Sequence, residues 1–459
     1  MDSDKSPLMY GAAAESINPR RPCSLAGYFN KRMWDRILDD IEVRVLVLNH
    51  SGRYFAILQY DLVTISENFA EAILKRISGI EGISSENIII TATHTHTAPE
   101  IRPGKPGCDP QYIEDAADAG ARALRKALSQ MKEGYLYRGR TFNHELSFNR
   151  RYFMKDGTVL TNPGKSNPEI EHPEGSTDPE IPLLGIKDRT GSWQVILANI
   201  SNHADTIGGN GVSADWHGFM KRDLQEKLGN KDLILLSLAG CAGDINHLDP
   251  KEPSEQFCYA EAERVGKGYA RSVEKALAAM TEIGNPDFKV GSVMVTTGPR
   301  EISKEEIDEA RSVLEKYKDI PDAERGGELH SVDLAKKTPA ALKFFANALL
   351  KMAEDRHERN FRLCGFSPFE GFYIVSLPSE PFVEIGLEIK RRIFPGSLVM
   401  VLEHSNGTGA ESVAGGYIPN KWNYGRGGYE TTPRSNPYAM DTAGKLTAGI
   451  AELSRKLTG

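Results

Sequence analysis

The sequence predicts an α/β fold with a mixed β-sheet core flanked by helices, and two observations carry this prediction. Short apolar runs alternate with amphipathic helical segments along most of the chain, as in proteins with layered strands and helices. Two β-rich runs, 41–48 and 54–60, are joined by a polar turn that contains Gly52, which indicates an antiparallel hairpin. A hairpin among alternating strands and helices favours a mixed sheet over a purely parallel one.

The individual elements follow from the spacing of apolar residues. Phe69, Ile73 and Ile77 recur at helical spacing and predict a short helix before the apolar run Ile88-Ile89-Ile90, which predicts a buried strand. Other apolar runs predict strands at 195–200, 233–238, 290–297, 372–377 and near Val399. Helical patterns predict further helices at 113–131, 219–228, 257–280 and 442–456.

Two segments differ in composition from the rest of the chain. Residues 155–182 are dense in Pro, Gly, Asn and Asp and predict a long surface loop, which in compact proteins is usually functional or mobile. Residues 302–360 are charged and mostly helical in pattern, with a break at Gly326-Gly327. We interpret 302–360 as a helical hairpin inserted between the strands predicted at 290–297 and 372–377.

Composition excludes several classes of protein. The chain has 459 residues, 40% hydrophobic and 26% charged, which is ordinary for a globular protein. A net charge of -7 gives no basic surface for nucleic acid, and no apolar run is long enough for a transmembrane segment. The first residues lack the apolar region of a secretory signal, so we expect a cytoplasmic protein. The five cysteines are widely spaced without a C-x-x-C, so neither a disulfide framework nor a cysteine zinc site is expected.

The most informative motif is His94-Thr95-His96, which follows the strand predicted at Ile88-Ile89-Ile90. In an extended segment, residues i and i+2 project to the same side, so both imidazoles would lie together at a strand end. Strand ends are where α/β proteins build their sites, and imidazole is both a common metal ligand and a proton carrier. The same residues also fit a polar strand end with hydrogen-bonded histidines.

Four further predicted strand ends carry polar groups of the right chemistry. They are Asn202-His203-Ala204-Asp205, the segment 240–247, Pro378-Ser379-Glu380-Pro381 and the glycine-rich segment 406–419. Pro381 suits the first position of a helix, so Glu380 also fits a simple helix cap. Together the segments offer two or three imidazoles, one carboxylate and one phenol, a set compatible with zinc held by nitrogen and oxygen ligands with an open position for water.

The order of these segments resembles the catalytic N-terminal domain of the neutral (neutral/alkaline, non-lysosomal) ceramidase family. That family shows an H-T-H after a strand, an N-R dipeptide, an N-H segment, a G-D-V-S-P-N loop, an L-P-G-E segment and a G-Y loop. This chain has His94-Thr95-His96, Asn149-Arg150, Asn202-His203, Gly243-Asp244-Ile245-Asn246, Leu377-Pro378-Ser379-Glu380 and Gly416-Tyr417. The resemblance implies a single catalytic domain over 1–459 that contains the 302–360 insertion.

By that resemblance, one zinc ion per chain would be held by His94, His203, Glu380 and Tyr417, while His96 and Arg150 would face the substrate. The sequence does not say whether Arg150 or its neighbour Arg151 points inward. The implied activity is hydrolysis of an amide (N-acyl) bond in a small-molecule or amphiphilic substrate. Three aspartates, Asp61, Asp205 and Asp244, are candidates for orienting the ligating histidines, and they equally fit turn-forming roles.

The chain departs from the family at Asn246, which stands where the family has a serine implicated in catalysis. An amide side chain is no alkoxide nucleophile, although it can donate a hydrogen bond to an oxyanion. We therefore expect a mechanism that depends on metal-activated water, with Asn246 as a catalytic donor or simply as a cap of its loop.

Two other functions stay open on the sequence alone. One is zinc-dependent hydrolysis of a soluble polar substrate, such as a sugar derivative or an ester. The expected cytoplasmic location and the change to Asn246 fit that alternative, and the insertion at 302–360 weakens ceramide itself as the substrate. The other is a non-catalytic binding protein on the same fold. The missing serine favours it, and the retained set of His94, His203, Glu380 and Tyr417 opposes it.

Overall fold

A computed structural model describes residues 7–322, 329, 333, 336–411, 413 and 415–458. Its mixed sheets and flanking helices confirm the predicted α/β class. No helix of these residues is both apolar enough and long enough to cross a bilayer. The helices are Glu67–Ile77, Pro110–Ser129, Asp215–Lys227, Tyr259–Leu277, Lys304–Lys316, Pro339–Ala353, Val383–Glu388 and Thr442–Thr458.

The first sheet contains the predicted hairpin. Strands Glu42–His50 and Arg53–Tyr60 pair antiparallel with Val43 opposite Tyr60, and Ile88–Ala92 lies parallel to Arg53–Tyr60. The sheet order is Ile88–Ala92, Arg53–Tyr60, Glu42–His50, Met9–Ser16, Lys132–Glu133. The first two helices cover one face of this sheet because their apolar stripes, which include Phe69, Ile73 and Leu124, are buried there.

The second and third sheets each contain one parallel pair of strands. In the second sheet Trp193–Ile200 and Ile234–Ala239 run parallel, and in the third Phe372–Ser376 and Leu398–Leu402 do. The second sheet has the order Ile234–Ala239, Trp193–Ile200, Glu180–Lys187, Tyr135–Phe142, Thr281–Glu282, and the third has the order Lys289–Thr297, Arg359–Phe369, Phe372–Ser376, Leu398–Leu402.

Paired two-residue strands connect the loops between the sheets. The pairs are Ser24–Leu25 with Arg32–Met33, Arg36–Ile37 with Gly211–Val212, Phe148–Asn149 with Ile245–Asn246, and Glu380–Pro381 with Tyr417–Ile418. Each pair supplies backbone hydrogen bonds between segments that lie outside the main sheets.

The three main sheets share one apolar core. Phe55 of the first sheet stacks on Phe366 of the third with ring centroids 4.1 Å apart, and Leu236 of the second sheet belongs to the same cluster. Asn199 joins the second and third sheets, since its Nδ2 donates to the Leu238 carbonyl at 3.1 Å and its Oδ1 accepts from the Val401 amide at 3.0 Å. The parallel strands of all three sheets therefore end in the same region.

Among its described residues, the predicted insertion includes the helices Lys304–Lys316 and Pro339–Ala353, which pack against each other. They connect strands Lys289–Thr297 and Arg359–Phe369, which are antiparallel neighbours. The strand Arg359–Phe369 begins within the range predicted as helical, so the prediction of helix up to 360 was wrong at that end. Charged and polar residues at the start of this strand obscure the run of apolar residues by which a strand is recognised in the sequence. Gly326-Gly327 lies outside the described residues.

The prediction of a structureless loop over 155–182 was also wrong in part. Strands Val159–Thr161 and Ile170–Pro173 both pair antiparallel with Arg151–Met154. Both strands are short and half-exposed, so their alternating pattern is lost among the turn residues around them. This small sheet fixes the backbone at Arg151, the residue that directly follows Arg150.

Candidate metal centre and active site

Five loops meet at the carboxyl ends of the parallel strands. The strands Ile88–Ala92, Trp193–Ile200, Ile234–Ala239, Phe372–Ser376 and Leu398–Leu402 are followed, respectively, by His94, His203, Gly243, Glu380 and His404. Loops after strand ends are where open α/β sheets bind ligands. Backbone bonds hold the loops together: the His96 amide donates to the Ala204 carbonyl at 3.0 Å and the His404 amide to the Ser379 carbonyl at 3.0 Å.

His94, His96, His203 and Glu380 form a buried cluster of potential metal ligands. His94 Nε2 lies 3.1 Å from His96 Nε2 and 3.5 Å from Glu380 Oε2, and His203 Nε2 lies 3.6 Å from Glu380 Oε2. Ligand atoms about 2.1 Å from one tetrahedral zinc ion lie about 3.4 Å from each other. The spacing of His94, His203 and Glu380 therefore fits a common zinc ion.

The chemistry of the cluster fits the same ion. His94 Nδ1 lies 2.6 Å from the Val63 carbonyl and donates to it, which leaves the lone pair of Nε2 directed at Glu380. Burial lowers the pKa of His94 to about 4, so its imidazole is neutral near pH 7, as a metal ligand must be. Among the described residues, Glu380 Oε2 is a buried acceptor without a hydrogen-bond partner. A buried acceptor of this kind is normally satisfied by a bound cation or an ordered water.

The side chains of His94 and His96 do meet, but the prediction that they meet because the segment is extended was wrong. His94 is not extended: its φ is 65°, in the left-handed region. Ser379 and His404, in the loops beside it, have φ values of 55° and 51°. Non-glycine residues pay conformational energy for such angles, and they concentrate at functional sites.

Tyr417 lies beside Glu380 because strand Glu380–Pro381 pairs in parallel with Tyr417–Ile418. Its hydroxyl is 3.1 Å from the Tyr429 hydroxyl, and burial raises the pKa of Tyr417 well above its usual value. Pro381 belongs to this pairing and does not begin a helix as predicted; the helix begins at Val383. Tyr417 as a fourth ligand stays a prediction.

Of the two neighbouring arginines, Arg150 is the one that faces the cluster. Its Nη1 lies 3.2 Å from His203 Nε2, and its Nη2 donates to the Gly243 carbonyl at 2.8 Å. Arg151 points away and pairs with Glu174, while both guanidinium groups share Glu430, at 3.0 Å from Arg150 Nε and 2.8 Å from Arg151 Nη1. Glu430 thus fixes the orientation of Arg150.

His96 has one ring nitrogen directed at His94 and the other, Nδ1, buried without a partner among the described residues. Its ring stands edge-on to Tyr28 at 5.5 Å. At 3.1 Å from His94 Nε2, His96 is near enough to serve either as a ligand or as a proton donor beside the metal.

Asn246, predicted as an oxyanion donor, has both ends of its amide engaged, one with its own loop and one with the segment 155–182. Its Nδ2 donates to Asn162 Oδ1 at 3.0 Å and its Oδ1 accepts from the Leu248 amide at 3.1 Å. Its backbone pairs with Phe148. These contacts favour the structural role that the sequence left open.

Replacing Asn246 by alanine should lower the free energy of unfolding by about 1–3 kcal/mol, because the Leu248 backbone N–H and the Asn162 side-chain carbonyl, both partly buried, lose their partners. Urea denaturation measures this. As a control, Asn162→Ala removes only the bond from Asn246 Nδ2 and leaves the Leu248 bond in place, so it should cost less. A stable Asn246→Ala variant that loses turnover would instead restore the catalytic role.

The three candidate orienting aspartates have other partners. Asp61 pairs with Arg44, and Asp244 accepts from the Asn149 side chain and the Val383 amide, each at 2.8 Å. Asp205 lies 3.3 Å from His247 Nδ1. The His94 ring is oriented by the Val63 carbonyl instead.

The buried Asp205–His247 pair should make stability depend on pH. Burial disfavours the imidazolium, but the hydrogen bond and charge of Asp205 outweigh it and raise the pKa of His247. The stabilisation is therefore complete below about pH 6.5 and is lost as pH rises through the raised pKa. Urea unfolding at pH 6 and pH 8.5 should show this loss in the wild type and a smaller one in His247→Gln. If the free energy of unfolding falls by the same amount between pH 6 and pH 8.5 in both proteins, the assignment to His247 is contradicted.

Sequence reasoning missed four residues at the site: Glu403, His404, Tyr429 and Glu430. Glu403 and His404 directly follow strand Leu398–Leu402, so the strand-end criterion applied elsewhere would have found them. Tyr429 and Glu430 lie in a short 3-10 turn after the glycine-rich Tyr417 loop, and nothing in their local pattern marks them.

The helical insertion reaches the edge of the site through aromatic rings. Phe29 lies 6.1 Å from Tyr429 on one side and 6.1 Å from Phe344 of helix Pro339–Ala353 on the other. The Arg434 guanidinium lies 4.6 Å from the centre of the Phe29 ring and 4.5 Å from that of Phe344. One ring therefore separates the insertion from the tyrosine pair beside Glu380.

Fold and site together define an α/β protein with a cluster of histidine and carboxylate side chains, able to hold a metal ion, at the ends of its parallel strands. Neutral ceramidase from Pseudomonas aeruginosa has the same fold: it is 16% identical, with a TM-score of 0.70, over 99% of this chain and 76% of that chain. A ceramidase complexed with C2 is 15% identical, with a TM-score of 0.73, over 98% of this chain and 76% of that chain. No protein-family model and no curated protein sequence matches the chain. The predicted ceramidase-like fold is confirmed.

Proposed function

We propose that this protein is a zinc-dependent hydrolase that cleaves an amide (N-acyl) bond. The observation that carries the proposal is the spacing of His94, His203 and Glu380, with ligand atoms 3.5–3.6 Å from Glu380 Oε2. The neutral ceramidase fold supports the reaction class. One zinc ion held there, with Tyr417 as a fourth ligand, would supply an activated water and polarise a carbonyl oxygen.

The chain's own residues have distinct roles in this proposal. The Arg150 guanidinium, fixed by Glu430, donates to the substrate oxygen on which negative charge develops. His96 would pass a proton to the leaving nitrogen; because burial holds the pKa of His96 well below its usual value, its ring is neutral at rest and would first take that proton from the attacking water. Glu430 keeps Arg150 oriented. Asn246 holds its loop.

The insertion favours a substrate shorter than a long-chain membrane lipid. Phe29 and Phe344 lie beyond Tyr429, and the Arg434 guanidinium lies against both phenylalanine rings. These side chains occupy the space beside the tyrosine pair. A soluble polar compound, such as a sugar derivative or an ester, is therefore the second candidate substrate.

A substrate screen with and without chelator tests the proposal. Purified protein is assayed on N-acyl amides of graded acyl length, on esters and on glycosides, before and after treatment with a chelator and after zinc is restored. We expect turnover on an N-acyl amide that the chelator abolishes and zinc recovers. Turnover that is insensitive to chelator would overturn the proposal, and chelator-sensitive turnover on esters alone would favour the second candidate.

A further inference from the structure

We propose that the site holds a second divalent metal ion, bound by His404 and Glu403, with Glu380 bridging the two ions. The inference deepens the proposed function and depends on its first metal site. Nothing in the resemblance to neutral ceramidase predicted it, since that resemblance implies one zinc ion per chain.

His404 is a buried histidine with a nitrogen that has no partner. Its side chain is 1% exposed, its Nδ1 lies 3.3 Å from Thr64 Oγ1, and its Nε2 has no hydrogen-bond partner among the described residues. Ligand atoms of His94, Glu380 and His404 all lie within 4.8 Å of one another. An orphaned imidazole nitrogen at that distance from a carboxylate is suited to metal binding.

The orientation of His404 shows why it would bind a separate ion. Its ring stacks on that of His94, with centroids 4.1 Å apart and planes inclined by only 15°. An imidazole binds a metal close to its own ring plane, at about 2.1 Å from the nitrogen. Because the two rings are stacked and nearly parallel, no single point lies close to both ring planes at that distance. An ion bound by His404 would therefore be displaced from an ion bound by His94 by about the stacking distance. Paired catalytic metals lie about 3.5–4 Å apart.

Glu403 supplies the second protein ligand. Its Oε1 lies 3.7 Å from His404 Nε2, too long for a hydrogen bond, and neither atom has a hydrogen-bond partner in the part of the chain that the structure describes. Its Oε2 accepts from the Ala242 amide at 3.0 Å, which fixes the carboxylate with Oε1 directed at His404. A fully buried carboxylate without a cation is costly, and a divalent ion between Oε1 and Nε2 would remove that cost.

Glu380 completes the arrangement as a bridge. Its Oε2 is 3.5 Å from His94 Nε2 and 3.6 Å from His203 Nε2, and the carboxylate also lies within reach of His404. Bridging carboxylates are common where two hydrolytic metals share a site. His404 as a mere packing partner of His94 explains the stacked rings but leaves both orphaned atoms, His404 Nε2 and Glu403 Oε1, unexplained.

Zinc stoichiometry tests the proposal independently of activity. Metal-free protein is dialysed against zinc sulfate, and bound zinc is measured by elemental analysis for the wild type, His404→Phe and Glu403→Gln. Phenylalanine preserves the stacked ring without a ligand atom, and glutamine preserves the shape and the acceptor for Ala242. We expect about two zinc ions in the wild type and about one in each variant, with circular dichroism confirming the fold.

Each outcome has a defined meaning. One zinc ion in the wild type and in the variants would overturn the second site and leave the proposed function standing, whereas no zinc in the wild type would overturn both. Two ions in every protein would exclude His404 and Glu403 as ligands. If His404→Phe does not fold, Glu403→Gln decides. Manganese loading gives a second readout, because two ions within about 4 Å should show a coupled electron paramagnetic resonance spectrum that either variant abolishes.

Discussion

Replacing His203 by alanine should remove zinc from the purified protein and lower turnover by more than about 100-fold. Loss of a residue that only orients a ligand typically costs about 10–100-fold in metal affinity, so loss of a ligand itself should cost more. His203 contributes the nitrogen 3.6 Å from Glu380 Oε2. Zinc content by elemental analysis, together with a melting curve, measures the effect.

The matched control is His217→Ala. His217 is equally buried, its Nδ1 lies 2.7 Å from Ser237 Oγ, and it belongs to neither group of potential ligands. This variant should be less stable, because removing the buried ring leaves a cavity, and it should retain zinc. Equal zinc content in both variants would mean that His203 is a packed core histidine. The same comparison applies to His94→Ala.

Replacing Arg150 by methionine should lower kcat by about 10²–10³-fold while zinc content is preserved. That range is the usual cost of removing one donor to a developing oxyanion. Arg150 lies 3.2 Å from His203 Nε2, close enough to reach a substrate oxygen beside the metal. Steady-state kinetics and elemental analysis of the same preparation measure the two quantities.

Arg151→Met is the control, since both arginines are ion-paired with Glu430. Each variant leaves Glu430 with one arginine and with the Thr161 hydroxyl at 2.6 Å, so both should be destabilised. Only Arg150→Met should lower kcat by the stated factor. Comparable kcat values for the two variants would assign Arg150 a purely structural role.

Sequence patterns predicted most of the elements that position the site. The apolar runs before His94, His203 and Glu380 are strands, and the hairpin after Glu42 forms as expected. These elements were predictable because most of each strand is buried and its buried stretch is largely apolar. Segment 155–182 was not, because its short strands are half-exposed and are held by pairing with Arg151–Met154.

The orientation of side chains in the loops could not be predicted from the sequence. The meeting of His94 and His96 depends on a left-handed backbone at His94, which no local pattern encodes for a histidine. The choice between Arg150 and Arg151 depends on Glu430, about 280 residues further along. The stacking of His404 on His94 depends on contact between the first and third sheets.

The convergence of strand ends from three sheets has a consequence for biosynthesis. The groups that we expect to bind metal are dispersed from position 94 to position 404, and backbone bonds between their loops place them. A ribosome-bound chain that has not yet released its third sheet lacks Glu380 and therefore lacks the proposed metal site, whatever metal surrounds it. Because only the completed fold would bind the ion, at a free concentration 100 times its Kd the metal would stabilise that fold by about 2.7 kcal/mol. Metal supply in the cell would then influence the abundance of the finished protein as well as its activity.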